Sequence, residues 1–227
     1  MIFNKRGSRP FITDGSMAVE LAKRGFAERP PDRNNLSSPT VVERIYHDFI
    51  QAGATLLQTN TLFSNRFALE SVMLSARVAE LNRKGVWLAR TASAGRVPVI
   101  AGSGSNNTAD SVQASRQAAE AGVAALLIVT PYYNKPTPAG VVAHHSAIAD
   151  ACPLPQILYN VPGRTATNLG VDVQLAAMDA VPLVIGSKEA SANLSQISRL
   201  AAQVPEHVSV LAGDDDLTLP IIGVGGS

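Results

Sequence analysis

Short runs of apolar residues alternate with longer amphipathic stretches along this chain. Seven such runs are candidate strands, at residues 10–13, 54–58, 97–101, 125–129, 156–158, 183–186 and 208–211. Runs this short and this apolar are typical of strands that are buried on both faces of a parallel sheet. The stretches between them predict helices, of which the clearest are at residues 41–52, 109–122, 138–151 and 194–202.

This alternation predicts the fold class. Strands that alternate with helices imply a parallel sheet with right-handed crossover connections. We therefore predict an α/β fold, specifically a TIM (β/α)8-type barrel that is truncated after strand seven, and a single domain over residues 1–227. Polar residues and glycines follow the apolar runs at their carboxyl ends, which is where a parallel barrel builds its active site.

Composition and charge narrow the class of protein. The 227 residues are 46% apolar, and 19 basic residues against 18 acidic ones give a net charge of +1. Without a long block of either sign, neither nucleic acid nor an anionic membrane is an implied partner. No stretch approaches the roughly 20 apolar residues of a membrane span, and the single cysteine, Cys152, excludes an internal disulfide framework. We expect a soluble cytoplasmic protein.

Lys188 is the leading candidate for chemistry, because it follows the apolar run at residues 183–186. Desolvation at such a position favours the neutral amine. A neutral amine can attack a ketone and form a Schiff base, which serves as an electron sink. Spacing alone also allows a lysine that caps the strand end or pairs with Glu189.

Two other residues and a tyrosine pair are further candidates, and a parallel barrel would bring Tyr159 close to this lysine. Tyr159 ends the preceding strand, and its phenol can relay protons, although it could equally pack on the barrel rim. Arg164 can bind a carboxylate through two hydrogen bonds, or it can be a solvated loop arginine. The aromatic pair Tyr132 and Tyr133, on a predicted loop, is typical of an interface anchor.

Two further clusters carry weaker signals. His144 and His145 lie within a predicted helix without cysteine or carboxylate partners at ligand spacing, so a solvent or interface position is favoured over a metal site. The three aspartates at residues 214–216 fit a strand end followed by a helix N-cap better than a cation site.

Five segments, in the right order, carry a resemblance to a known family. They are VPVIAGSGSN at residues 97–106, VTPYYNKP at residues 129–136, LYNVPGRT at residues 158–165, KEAS at residues 188–191 and LAGDD at residues 211–215. Over residues 97–226 the chain resembles dihydrodipicolinate synthase, also called 4-hydroxy-tetrahydrodipicolinate synthase. Ser187 departs from the family pattern, which usually has an apolar residue just before the lysine.

The resemblance implies an activity and a set of site residues. Lys188 would condense with pyruvate, and the enamine would attack aspartate semialdehyde to give 4-hydroxy-tetrahydrodipicolinate for diaminopimelate and lysine biosynthesis. Tyr159 and Tyr133 would form the proton relay, Tyr133 reaching across a dimer interface, and Arg164 would bind the aldehyde's carboxylate. Gly213 belongs with the substrate-binding residues by the same resemblance. A homo-oligomer, dimer or tetramer, is expected, with no metal and no organic cofactor.

Residues 10–96 resemble a different family, the homocysteine S-methyltransferases. The resemblance lies in TDGSM at residues 13–17, NLS at residues 35–37 and QTNTLFSN at residues 58–65. The seam between the two families would lie near residues 97–104.

If the chain joins segments of two families, each activity lacks part of its site. The strand-two threonine motif of dihydrodipicolinate synthase is absent, although Thr59 and Thr61 stand near the same place and could bind substrate in part. A catalytically impaired hybrid barrel is therefore one alternative. A homocysteine S-methyltransferase-like protein that lacks its zinc site is another, since Cys152 alone cannot build a thiolate zinc site.

Overall fold

The computed structural model describes residues 12–227, and these divide into two compact units. The N-terminal unit comprises residues 12–103 and 113–125, and the C-terminal unit comprises residues 104–112 and 126–227. Both contain parallel strands and helices, so the predicted α/β class is confirmed.

The N-terminal unit contains a pair of parallel strands, β1 (Leu57–Gln58) and β2 (Val99–Gly102), with Leu57 opposite Val99. Its helices are α1 (Met17–Lys23), α2 (Asn34–Ser37), α3 (Pro39–Gln51), α4 (Arg66–Glu70) and α5 (Val78–Ser93). Helix α6 (Thr108–Glu120) contributes residues to both units. The apolar faces of α3 and α5 form the core of this unit, since residues such as Val42, Ile45 and Leu88 are fully buried.

The C-terminal unit contains four parallel strands in chain order. They are β3 (Ala125–Val129, whose first residue belongs to the other unit), β4 (Gln156–Asn160), β5 (Val184–Glu189) and β6 (Ser209–Ala212). The helices are α7 (Pro138–Ala151), α8 (Pro162–Thr165), α9 (Val171–Ala180), α10 (Leu194–Gln203) and α11 (Thr218–Gly223). Apolar residues from α9, α10 and α11 pack against the strands and form one core.

Six of the seven predicted strands are confirmed, with small shifts at their ends. The first predicted run, residues 10–13, lies partly outside the described residues. Thr13, at its end, makes an isolated parallel bridge to Leu56.

The four predicted helices are also confirmed, as α3, α6, α7 and α10. At the start of α6, the capping side chain lies one residue before the helix. The side chain that accepts a backbone N–H there is Asn107, whose Oδ1 accepts from Asp110 N at 3.0 Å. Among the described residues, every helix is too short or too polar to cross a bilayer.

Candidate active site

Lys188 and Tyr159 lie side by side at the carboxyl ends of two neighbouring strands. The register of β4 and β5 places Tyr159 directly opposite Lys188. Neighbouring strands are about 4.8 Å apart and side chains opposite each other point to the same face. The lysine Nζ accordingly lies 4.9 Å from the centroid of the tyrosine ring. The lysine is half-buried and the tyrosine is buried.

The phenol of Tyr159 is held in its protonated form. Burial raises the pKa of Tyr159, the positive charge of Arg164 lowers it, and the negative charge of Asp214 raises it again. The net direction is upward, so at neutral pH this hydroxyl is a proton donor.

Hydrogen bonds to the main chain fix the position of Tyr159. Its carbonyl oxygen accepts from the backbone N of Thr130 at 3.0 Å and from the Thr130 hydroxyl at 2.9 Å. Thr130 is fully buried and directly follows β3. Three successive strands therefore contribute to the geometry around the amine.

The opposite face of the same two strands carries a buried polar network. Glu189 is fully buried, and its carboxylate accepts from Asn160 Nδ2 at 3.0 Å, Gln174 Nε2 at 2.5 Å and Ser191 Oγ at 2.7 Å. A buried carboxylate is tolerated only with such donors. Because successive side chains alternate along a strand, Glu189 points away from the face that carries Lys188.

Gly213 lies where a side chain would not fit. Its backbone N donates to Glu189 O at 2.7 Å. An added Cβ would stand 2.7 Å from Ala190 Cβ and 2.9 Å from Glu189 O. The glycine therefore allows the loop after β6 to approach the end of β5 closely.

Arg164 and Tyr133 lie on the surface of the same unit. Arg164 is exposed in the short helix α8, close enough for its charge to affect Tyr159. Tyr133 is 87% exposed and has a left-handed backbone with φ of 70°. Its backbone N donates to Thr165 O at 3.3 Å.

Thr59 and Thr61 belong to the N-terminal unit, where both are buried after β1. Their hydroxyls are 2.6 Å apart, and Thr61 Oγ1 also donates to Gly102 O at 2.9 Å. Gly102 N in turn donates to Thr59 Oγ1 at 3.3 Å. The two threonines thus join the end of β1 to the end of β2.

The prediction that His144 and His145 face solvent or an interface is wrong. Their side chains are buried on α7, because the adjacent strand supplies Gln156, whose Oε1 lies 2.9 Å from His145 Nδ1. His144 Nδ1 lies 2.9 Å from Thr108 Oγ1. Burial lowers the pKa of each histidine to about 4. Within residues 12–227, no group of three histidine, cysteine or acidic side chains is placed to bind a metal.

Sequence reasoning missed the buried partners of Glu189. Asn160 stands inside the motif at residues 158–165, so its identity was visible but its direction was not. Gln174 carried no signal, because it lies on α9, a helix that the apolar pattern did not single out.

Asp32 in the N-terminal unit was also missed. It is fully buried, accepts from Phe63 N at 3.0 Å, and its burial raises its pKa to about 6.

Parallel strands with polar side chains at their carboxyl ends place the C-terminal unit among the α/β proteins that build their sites at that edge. The chain belongs to the dihydrodipicolinate synthetase family, whose family model matches residues 70–227. That match includes residues 70–96, which lie in the segment that resembles the homocysteine S-methyltransferases.

Individual relatives agree with this family. The chain is 52% identical to the 4-hydroxy-tetrahydrodipicolinate synthase of Bacillus subtilis over 132 residues, which cover 58% of this chain and 46% of that protein. A dihydrodipicolinate synthase structure from Bacillus anthracis superposes with a TM-score of 0.71 at 33% identity, covering 81% of this chain and 60% of that one. The chloride-inhibited enzyme from Acinetobacter baumannii, complexed with pyruvate, has the same TM-score at 31% identity and the same coverage. The chain thus spans about half the length of the curated relatives that it matches.

Proposed function

We propose that this chain carries the Schiff-base chemistry of a lyase that condenses pyruvate with aspartate semialdehyde, giving 4-hydroxy-tetrahydrodipicolinate for diaminopimelate and lysine biosynthesis. One observation carries the proposal: the amine of Lys188 lies 4.9 Å from the ring centroid of a buried tyrosine, at the carboxyl ends of paired parallel strands. The relatives named above carry this activity in their names, which supports the same assignment here.

The chemistry follows from these two side chains. The neutral amine of Lys188 adds to the ketone carbon of pyruvate, and the carbonyl oxygen takes up a proton to give a carbinolamine. Protonation of that hydroxyl releases water and leaves an iminium ion. Loss of a methyl proton gives the enamine, whose carbon attacks the aldehyde, and the aldehyde oxygen takes up a proton. The amine of aspartate semialdehyde then adds to the regenerated iminium carbon, which closes the ring and releases Lys188 as the free amine. Tyr159 is the group placed to deliver and recover protons, since burial keeps its phenol protonated.

The remaining site residues fill binding roles in this proposal. Arg164 receives the carboxylate of the aldehyde through its guanidinium. Thr59 and Thr61 bind the pyruvate carboxylate in part, and Gly213 leaves space beside the end of β5. Tyr133 completes the proton relay of a neighbouring subunit, which fits its exposed position. The assembly is a homo-oligomer in the cytoplasm, a dimer or tetramer, and uses neither a metal nor an organic cofactor.

The finer description of the fold is part of the same proposal. In this proposal the strands and helices of residues 12–227 follow the TIM (β/α)8-type pattern, supported by the six parallel strands that alternate with helices. Residues 10–69 lie outside the family match. This supports a separate origin for the beginning of the chain, and the proposal keeps the seam between the two families near residues 97–104.

The chief alternative is a hybrid barrel that binds pyruvate weakly and makes no product. It is favoured by the threonine pair, whose hydroxyls already bond to each other and to Gly102. A homocysteine S-methyltransferase-like protein without zinc is the lesser alternative.

Thermal melting and product analysis together test the proposal. A competent site gains stability in saturating pyruvate, because the ligand binds only the folded state. Incubation with pyruvate and aspartate semialdehyde then yields the condensed product by mass spectrometry. Tyr159→Phe, which keeps the ring but removes the hydroxyl, should slow product formation by about a hundredfold. A melting shift without product would favour the impaired hybrid. The absence of both the melting shift and the product would refute the proposal.

A further inference from the structure

One glutamine side chain joins the two residues that flank Lys188. Ser187 Oγ donates to Gln174 Oε1 at 2.6 Å, and Gln174 Nε2 donates to Glu189 Oε1 at 2.5 Å. The same Nε2 donates its second hydrogen to Leu169 O at 2.9 Å. Ser187, Gln174 and Glu189 are all fully buried. The amide therefore uses its acceptor and both of its donor hydrogens inside the protein.

Strand geometry makes this bridge specific to the lysine. Ser187 and Glu189 are two residues apart on β5, so they share one face, and Lys188 between them points to the other. Helix α9 carries Gln174 on the side of Ser187 and Glu189, while Tyr159 lies on the side of Lys188. The bridge thus holds the backbone on both sides of the amine without touching the amine's own face.

Ser187 makes this arrangement depend on hydrogen bonds. It is fully buried directly before the lysine, where packing alone would hold an apolar residue. Here a hydroxyl and an amide meet in a fully buried position, where hydrogen bonds are strong and a missing partner is costly. A directional constraint replaces a packing contact directly behind the proposed catalyst.

We infer that Gln174 is a positioning residue, which sets the direction of Lys188 over the Tyr159 ring by fixing Ser187 and Glu189. The inference rests on the proposed function, in which the amine must meet a ketone carbon. Misplacement of a reacting group by about 1 Å can cost a factor of one hundred in rate. Loss of the bridge should therefore slow attack by the amine in molecules that remain folded.

Gln174→Leu tests the inference, with Gln156→Leu as its matched control. Gln156 is equally buried in the same unit, but it bonds to His145 at the start of β4, away from the amine. The measurement is the rate at which Lys188 is trapped as the reduced pyruvate adduct, at a temperature where circular dichroism shows each variant folded. We expect about a tenfold loss in Gln174→Leu and no comparable loss in Gln156→Leu. Equal rates in wild type and Gln174→Leu would overturn the inference.

A double-mutant cycle separates positioning from general loss of stability. Ser187 acts through Gln174, so Ser187→Ala should slow adduct formation in the wild-type background and have little further effect beside Gln174→Leu. Additive effects would contradict the bridge. Should Gln174→Leu fail to fold, Ser187→Ala alone decides, and an unchanged rate would overturn the inference.

Failure of the proposed function can be recognised separately. If wild type forms no pyruvate adduct, the proposed function is wrong, and formaldehyde with cyanoborohydride replaces pyruvate as the carbonyl probe. Methylation of Lys188 is then followed by peptide mapping, with Lys23 and Lys84 as internal standards in the other unit. A changed Lys188 rate in Gln174→Leu, at constant rates for the two standards, supports positioning, whereas an unchanged rate refutes it.

Discussion

At the residue scale, the alternation of side chains along β5 separates two kinds of chemistry. Lys188 faces Tyr159 on one side, and Glu189 accepts hydrogen bonds from amide and hydroxyl donors on the other. A carboxylate and an amine that are neighbours in sequence thus have different surroundings. The structure shows where each lies, and the role of the amine is the proposal that follows.

Gly213 offers a test of close packing at this point. Gly213→Ala would place a Cβ within 3 Å of Ala190 Cβ and Glu189 O. We expect a loss of about 1–3 kcal/mol in the free energy of unfolding, because overpacking forces the backbone to shift. Urea denaturation measures the change.

Gly223→Ala is the matched control for that substitution. Gly223 ends α11 in the same unit, and an added Cβ there would meet nothing within 4 Å. Alanine is also the better helix former, so this variant should be neutral or slightly more stable. A Gly213→Ala protein as stable as wild type would contradict the close approach described here.

At the element scale, helix α7 carries a pH-sensitive pair. Burial lowers the pKa of His145 to about 4, although its hydrogen bond with Gln156 raises that pKa slightly. Burial and the neighbouring His145 lower the pKa of His144 to about 4 as well. A histidine in the unfolded chain has a pKa of about 6.5 and binds a proton below that pH. Between about pH 6.5 and 4, both rings therefore stay neutral in the folded protein while they are protonated in the unfolded chain.

The chain should therefore lose stability as pH falls from about 6.5 towards 4. The stability is fully present above the unfolded pKa, and each histidine contributes a loss of about 3 kcal/mol over that window. Asp32 acts in the opposite direction, because its raised pKa lets the folded protein bind a proton below about pH 6. Asp32 is present in both the wild type and a histidine variant, so its effect cancels when their unfolding free energies are compared.

The slope of unfolding free energy against pH reports how many more protons the unfolded state binds than the folded state. Between pH 6 and 4.5, His145→Gln should lower that number by about one. Denaturant titrations across that range measure the slope. His47→Gln, at a histidine with a side chain 46% exposed, is the control for removing one histidine from the surface. Equal slopes in wild type and His145→Gln would show that the ring does not stay neutral in the folded state.

The elements also show what the sequence can predict. Buried strands of four to six residues were found because almost every position in β2 and β3 is apolar. Helix α3 was found because Val42 and Ile45 recur at helical spacing. Helix α9 was missed, and with it Gln174, because α9 is apolar around most of its surface. Pairing of Tyr159 with Lys188 could be anticipated from strand order, but the direction of Asn160 and Gln174 depends on tertiary packing.

At the scale of the whole molecule, the proposed homo-oligomer assigns Tyr133 to an interface between subunits. Tyr133 is a large aromatic residue that is 87% exposed in a single chain, and exposed aromatics of this kind are enriched at interfaces. Tyr133→Ala should shift the protein towards the monomer in sedimentation velocity experiments. Met73→Ala is the control, since Met73 is 92% exposed and also has a left-handed backbone. An unchanged oligomer distribution in Tyr133→Ala would remove this residue from the interface.

The central claim is that Lys188 forms a Schiff base with pyruvate, and borohydride reduction tests it most directly. Wild-type protein incubated with pyruvate and reduced should gain the mass of one reduced pyruvate, and peptide mapping should place that mass on Lys188. Lys188→Arg, which keeps a long polar side chain but cannot form an imine, should gain nothing. An unmodified wild-type protein, or an adduct on another lysine such as Lys135, would contradict the account.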